Sequence, residues 1–273
     1  GIEYNGGLQW STILRLPEFQ NEFGMGWNGD HTELENGSWG PRFDGSMQLW
    51  GNKYENSQKL KPYSPIKNNI KDFFDAGFRY NNSVSFNGAT DKSEYYVSFS
   101  QISDDGMVPT DADSYDKYTF SARGSHKVKA LTFSSSLNYS YQKNKFATTG
   151  QGLTMLNSLY QTPRDVSIIS LQDQNDIFNS PGYFYTPYGV MNPYYILENY
   201  LNEYDAERFY GKFQVDYDFL KYFKFTYRMG LDTTTGQSNR GEPNLYALFY
   251  EGTPNGEGMG SNSPFYGKEG SYS

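Results

Sequence analysis

Leu131-Thr132-Phe133-Ser134-Ser135-Ser136-Leu137-Asn138-Tyr139-Ser140-Tyr141 is the stretch on which the fold turns. Leu131, Phe133, Leu137, Tyr139 and Tyr141 recur with a period of two, and Thr132, Ser134, Ser136, Asn138 and Ser140 fill the alternate positions. Side chains of a strand point alternately to opposite faces, so this pattern makes a sheet that is apolar on one face and wet on the other. A soluble sandwich turns the wet face to bulk water. A barrel that spans an outer membrane turns the wet face to its lumen and the aromatic face to lipid.

Five more segments repeat the pattern: Tyr80–Ala89, Glu94–Ser103, Tyr115–Gly124, Arg208–Asp218 and Phe223–Thr233. In the last, Phe223, Phe225, Tyr227, Met229 and Leu231 alternate with Lys224, Thr226, Arg228 and Asp232. Lysine and arginine fall on the polar face and not on the aromatic one. A charge on a lipid-facing midplane position costs about 2–4 kcal/mol, so a barrel wall requires that asymmetry. Ile2–Leu16 and Leu245–Tyr250 are weaker strand candidates. Short links (Thr90–Lys92, Ser125–Ala130, Phe219–Tyr222) alternate with long ones (Asp104–Ser114, Gln142–Glu207 and the chain after Thr234). Antiparallel strands joined in this way carry all their short turns at one rim and all their long loops at the other.

The 273 residues include 26 Tyr, 20 Phe and 4 Trp, yet mean hydropathy is negative. Alternating strands reconcile the two, because half of each strand is polar. No run reaches the roughly 18 apolar residues of a membrane-crossing helix, so any span must be made of strands. There is no cysteine, which excludes disulfide scaffolds and Cys-ligated metals. The net charge of −8 argues against nucleic acid as partner. The sequence opens on Gly1 without an initiator Met or a signal-peptide pattern and ends in a Gly/Ser-rich stretch, which reads as an internal piece of a longer protein.

The long links hold the remaining candidates. Gly24-Met25-Gly26-Trp27-Asn28-Gly29 has G-x-G-x-x-G spelling, but no strand leads into it and no helix is signalled after it, so it reads as a tight glycine turn. Asp104, Asp105, Asp111, Asp113 and Asp116 could offer oxygen ligands to calcium or could cap strand ends; no full calcium-loop pattern is present. Neither His31 nor His126 lies in a metal motif, and no nucleophile motif or P-loop occurs, so no catalytic, metal or cofactor site is assigned. Gln151–Tyr160 reads as a short helix packed under a loop and ended by Thr162-Pro163. Trp39, Trp50, Tyr183, Tyr185, Tyr188 and Tyr194 could stack on sugars or peptides, or could pack the loops against each other.

Several stretches go beyond periodicity: Ser38-Trp39-Gly40-Pro41-Arg42-Phe43-Asp44-Gly45, Asn69-Ile70-Lys71-Asp72-Phe73-Phe74, Asn82-Ser83-Val84-Ser85-Phe86 and Asp105-Gly106-Met107-Val108-Pro109-Thr110. Tyr118–Gly124, Gln161-Thr162-Pro163-Arg164-Asp165, Tyr185-Thr186-Pro187-Tyr188-Gly189-Val190 and Asn192-Pro193-Tyr194 follow. In this order they resemble the barrel region of the SusC/RagA family of TonB-linked outer-membrane transporters of the Bacteroidetes. The resemblance implies an all-β fold, in which residues 1–273 are an antiparallel segment of a transmembrane barrel of about 22 strands with long extracellular loops. It further implies import of oligosaccharides or peptides at the cell outer membrane. The partners would be a SusD-like lipoprotein lid, outer-membrane lipid and the TonB system, which acts through a plug outside this sequence. Trp39, Trp50, Tyr185, Tyr188 and Tyr194 are the expected substrate contacts, and no enzymatic activity is expected. The competing expectation is a soluble, surface-exposed β-sandwich that binds glycans.

Overall fold

A computed structural model describes residues 1–220, 222–244, 252–256 and 265–273. Among these, eight strands form one antiparallel sheet: β1 (Ile2–Ser11), β4 (Gly77–Ala89), β5 (Ser93–Asp105), β6 (Ser114–Val128), β7 (Leu131–Lys145), β8 (Leu201–Phe219), β9 (Phe223–Glu242) and β10 (Phe265–Tyr272). Each strand pairs with its neighbour in that order, so the sheet is a meander with β1 and β10 at its edges. Between β1 and β4, the strands β2 (Met47–Tyr54) and β3 (Ser57–Pro62) form a separate hairpin. Two short helices, α1 (Met155–Gln161) and α2 (Pro193–Asn199), lie between β7 and β8. No helix among the described residues is long and apolar enough to cross a membrane.

All six alternating segments are strands, and so is the first ten-residue part of Ile2–Leu16. The candidate Leu245–Tyr250 lies outside the described residues. Most strands run further toward the long-loop rim than the periodicity indicates. β8 starts at Leu201 and β9 continues to Glu242, where both faces are polar and the hydrogen-bonded ladder persists without an apolar signal. The link lengths alternate as expected. Thr90 closes one short turn, its N–H donating to Ser93 O (2.7 Å) and its Oγ1 accepting from the Ser93 N–H (3.1 Å). Lys129 closes the next, with φ at 54°.

The register preserves the two faces across the sheet. One ladder row runs Ile2, Phe86, Val97, Ala122, Leu137, Gly211, Leu231, and the next row, on the opposite face, runs Glu3, Ser85, Ser98, Ser121, Asn138, Tyr210, Asp232. A slip of one residue at any pairing would exchange the faces beyond it. Among the described residues no second sheet packs on the apolar face: Phe225 remains 58% exposed and Leu231 60%. A sandwich buries that face between two sheets. The only other sheet among the described residues is the β2–β3 hairpin.

The apolar band does not follow the ladder rows. On β1 it runs from Ile2 to Trp10 and centres on Gly6; on β9 it runs from Phe223 to Leu231 and centres on Tyr227. The row through Gly6 crosses six pairings and meets β9 at Thr235, eight residues from Tyr227 (235 − 227). Eight residues rise about 27 Å and six strand spacings cover about 29 Å, so the band crosses the strands at roughly 43° to the rows.

The hydrophobic core lies outside the sheet. Loops 12–76 and 146–200 meet over the long-loop rim, and there Met25, Trp50, Phe73, Leu159, Phe184 and Met191 are buried together. Helix α1 begins four residues later than the expected Gln151 and ends one residue after Tyr160. Thr154 Oγ1 caps it by accepting from Asn157 N, and it stops at Thr162 before Pro163.

Candidate functional site

The dome formed by the two long loops is held by a few buried polar side chains, several from the stretches that carry the family resemblance. The Arg164 backbone N–H donates to Ser38 Oγ (2.9 Å). Its guanidinium donates to Gln20 O (3.0 Å), Asn21 Oδ1 (3.0 Å) and Ile66 O (3.1 Å). Asn69 Nδ2 donates to Val166 O (2.6 Å), and its Oδ1 accepts from Ile168 N (2.9 Å). Asn192 caps α2, its Oδ1 accepting from Tyr194 N (3.0 Å), while its Nδ2 donates to Leu171 O (2.8 Å) and Asn179 O (2.9 Å). These contacts join residues that are remote in sequence, and a buried loop needs them because its backbone groups have no ladder to satisfy them.

Under the dome Lys61 forms a buried ion pair with Asp165, whose other carboxylate oxygen accepts from Met25 N (2.8 Å). Burial lowers the Lys61 ammonium below its ordinary range, against the pull of Asp165. His31 lies edge-on to Tyr63 at 5.5 Å, and burial followed by the nearby Lys61 lowers its imidazole. Burial pushes the Tyr63 hydroxyl up to about 12.

On the outside of the dome a cleft of about 910 Å³ opens between Phe19, Phe23, Trp27, Trp39, Tyr160 and the carboxylates of Glu22 and Glu35. Trp27 and Trp39 meet edge to face at 6.3 Å and remain 54% and 68% exposed. The G-x-G-x-x-G turn holds them together. Trp27 and Asp30 exchange backbone hydrogen bonds of 3.0 Å, Gly29 N donates to Trp39 O (2.8 Å) and Trp39 N to Gly26 O (3.1 Å). Gly26 has φ of 144°, and a Cβ there would stand 2.1 Å from Asp30 O, so only glycine fits. No helix follows this turn, as its context indicated.

The aromatic candidates divide. Trp39 lines the cleft, and Tyr188 is exposed beside it: Asn36, a cleft residue, donates to the Tyr188 carbonyl (3.0 Å) and to Gln161 Oε1 (2.6 Å). Trp50, Tyr185 and Tyr194 are buried in the dome core, with Trp50 against Tyr185 at 5.6 Å and Tyr194 against Phe73 at 5.0 Å. These three offer no ring face to a ligand here; large loops need a core of their own and these rings supply it. Tyr183 packs edge-on against Tyr54. Trp27, Phe19, Phe23 and Tyr160 also line the cleft. Of these, Trp27 was marked in the sequence by its glycine turn alone.

The acidic loop after β5 does not converge on a point. Asp104 faces Arg79 at 3.8 Å, and Asp113 accepts from Val108 N (3.3 Å), closing the loop on itself. No group of three or more carboxylates or histidines that could hold a metal occurs among the described residues. Burial, with Asp105 and Asp104 nearby, pushes the Asp113 carboxyl up to about 6.

No protein-family model matches the sequence, and no curated protein matches it either.

Two outcomes are expected. Replacing Asp165 by Ala leaves Lys61 buried without a partner and destabilises the dome by about 3–5 kcal/mol. Glu22→Ala, which breaks the exposed pair with Arg42, costs less than about 1 kcal/mol; denaturant titration compares the two. Asp113 is raised from 3.8 to about 6, so the folded loop holds its proton more tightly than the unfolded chain. Its stabilising contribution is complete at the acid end and is lost as pH rises toward 6. Hydrogen-exchange protection of the Gly106 and Val108 amides should therefore fall across that window, and Asp113→Asn should flatten the dependence.

Proposed function

We propose that this chain is part of the wall of an outer-membrane importer of the TonB-linked SusC/RagA kind, with its aromatic face toward lipid and its polar face toward the lumen. The observation that carries the reading is the slanted apolar band. Barrel strands tilt by roughly 35–45° from the membrane normal, and a lipid layer of constant height must then cross the ladder rows at that same angle. The band crosses at roughly 43°. Its height is of the same order: eight residue steps on β1 and β9 and ten on β8 (Phe209 to Phe219) span about 26–33 Å along the strand and about 19–24 Å after that tilt, against the 25 Å apolar belt of outer-membrane barrels.

Charge placement supports the same reading. On the apolar face Asp105, Asp116, Lys143, Lys145 and Glu207 all lie at the long-loop rim, beyond the band. Among the described residues the two edges, β1 and β10, each leave one side of their ladder unpaired, which hydrocarbon does not tolerate. Further strands would pair with them and close the wall. The dome on the long-loop rim then faces outward, and its Trp27–Trp39 cleft is placed to meet cargo or a lipoprotein lid. Cargo of the class expected from the resemblance, oligosaccharide or peptide, suits ring faces flanked by carboxylates and amides. A soluble sandwich would need a second sheet over this face, and the described residues hold none besides the β2–β3 hairpin.

Uptake in cells that produce the full-length protein tests this function. Labelled oligosaccharides and peptides should accumulate, and a protonophore that collapses the inner-membrane gradient should abolish accumulation. Accumulation that persists without the gradient would indicate a passive pore instead.

A further inference from the structure

Trp27 and Trp39, the exposed rings of the outer cleft, stand at 73° to each other. They form a corner rather than a flat plate, and a corner takes a ligand with an apolar face and a thick edge. At about 910 Å³ the cleft falls within the range of small-ligand sites, roughly 300–1,000 Å³.

Most polar side chains around the corner are spent on the chain itself. Asn36 Nδ2 donates to Gln161 Oε1 and Tyr188 O, and Gln161 Nε2 donates to Asn157 Oδ1 (2.7 Å). Gln20 Nε2 donates to Phe23 O (2.9 Å), and its Oε1 accepts from the Glu22 and Phe23 amides (2.7 and 2.8 Å). Glu35 differs. Its Oε1 accepts from Asn36 N (3.0 Å), which fixes the carboxylate, and it forms no ion pair among the described residues. It borders the Trp39 ring: a Cβ on Gly37 would stand 3.3 Å from Trp39 Cδ1 and 3.9 Å from Glu35 Oε1. A carboxylate accepts and does not donate, so a ligand in this corner must bring donors.

The charges of the cleft balance. Glu22, Glu35 and Arg164 line it, and Arg42 pairs with Glu22 at its border (2.8 Å), so two carboxylates meet two guanidiniums. Arg42 also lies over the Phe23 ring (4.9 Å) and Arg164 over Phe19 (5.3 Å), which places the chain's own cations on two of the lining rings. This balance favours a neutral ligand over a cationic side chain or an acidic sugar. The backbone of the glycine turn is largely paired with itself, Gly26 N with Gly37 O (3.2 Å) and Gly40 N with Gly24 O (3.1 Å) among others, and offers no row of groups to a peptide strand.

We infer that this corner is a subsite for a neutral oligosaccharide, with a pyranose ring stacked on Trp39 against the wall of Trp27 and its hydroxyls donating to Glu35. A pyranose has an apolar C–H face and a rim of hydroxyl donors, the combination that the ring corner and its carboxylate require. The inference rests on the reading of the dome as the outward cap of an importer, and it narrows the cargo from oligosaccharide or peptide to neutral oligosaccharide.

Isothermal titration calorimetry of the full-length protein, in a detergent without a sugar headgroup, tests it. The probes are neutral hexasaccharides of glucose, mannose, xylose and galactose, with trigalacturonate, trilysine and trialanine beside them. At least one neutral sugar should bind, and the other three probes should not. Trp39→Ala and Glu35→Ala should each weaken that binding at least about tenfold, as loss of a central anchor does, with thermal unfolding unchanged. Trp39→Phe should retain most of the affinity, and Trp10→Ala, on the apolar band, should leave it intact. Binding by no neutral sugar, or binding that survives both Trp39→Ala and Glu35→Ala, would overturn the subsite. Trilysine, trialanine or trigalacturonate binding that Trp39→Ala abolishes would overturn the neutral-sugar assignment. Equilibrium binding needs no gradient, so any of these failures leaves gradient-driven uptake, and with it the importer reading, untouched. Trp39-dependent sugar binding without gradient-driven uptake would keep the subsite and sink the importer reading.

Discussion

The sheet has an apolar face that none of the described residues covers, and the remainder of the structure is arranged around that fact. Each large apolar side chain gains about 1.5–3 kcal/mol on leaving water, so a band of them across seven strands stands to gain on the order of tens of kcal/mol from a cover. Soluble proteins find that cover in a second layer of their own. Here the dome core sits over one rim and leaves the face open, with its rings spread in a slanted band. Patches that mark protein contacts are local. A band that slants across the ladder from β1 to β9 instead fits a planar apolar medium meeting tilted strands, which is the ground of the proposed barrel wall.

The dome answers a different constraint. Loops 12–76 and 146–200 cannot use ladder hydrogen bonds, so their backbone groups are met by side chains. Arg164, Asn69 and Asn192 each reach several carbonyls or amides, and Asp165 holds Lys61 beneath them. The stretches that resemble the transporter family are therefore mainly the fasteners of this dome. The buried aromatics Trp50, Tyr185 and Tyr194 belong to the same construction, which leaves Trp27 and Trp39 as its outward aromatic surface.

The strand faces were readable from the sequence because period-two alternation is a local signal. Phe223 to Leu231 shows it without reference to any other residue. The rim extensions at 201–207 and 234–242 were not readable, since polar residues on both faces erase the alternation while pairing continues. Helix α2 carried a usable signal, an Asn cap followed by Pro193 at the first turn, but its seven residues are too few to show a period. The ring orientations in the loops were closed to sequence. Trp39 and Trp50 both sit in Gly-rich stretches, and only contact with Tyr185, 135 positions from Trp50 (185 − 50), determines which of the two turns inward.

Spin-label accessibility reports the orientation of the two faces. Labels at Val97, Phe133 and Phe225, and separately at Ser98, Ser134 and Thr226, would be placed in the full-length protein in lipid bilayers. Oxygen and a water-soluble nickel chelate would serve as relaxers. With the aromatic face toward lipid, the first set relaxes with oxygen and the second with nickel. An aromatic set that meets nickel, or two sets equally shielded from both, would contradict it.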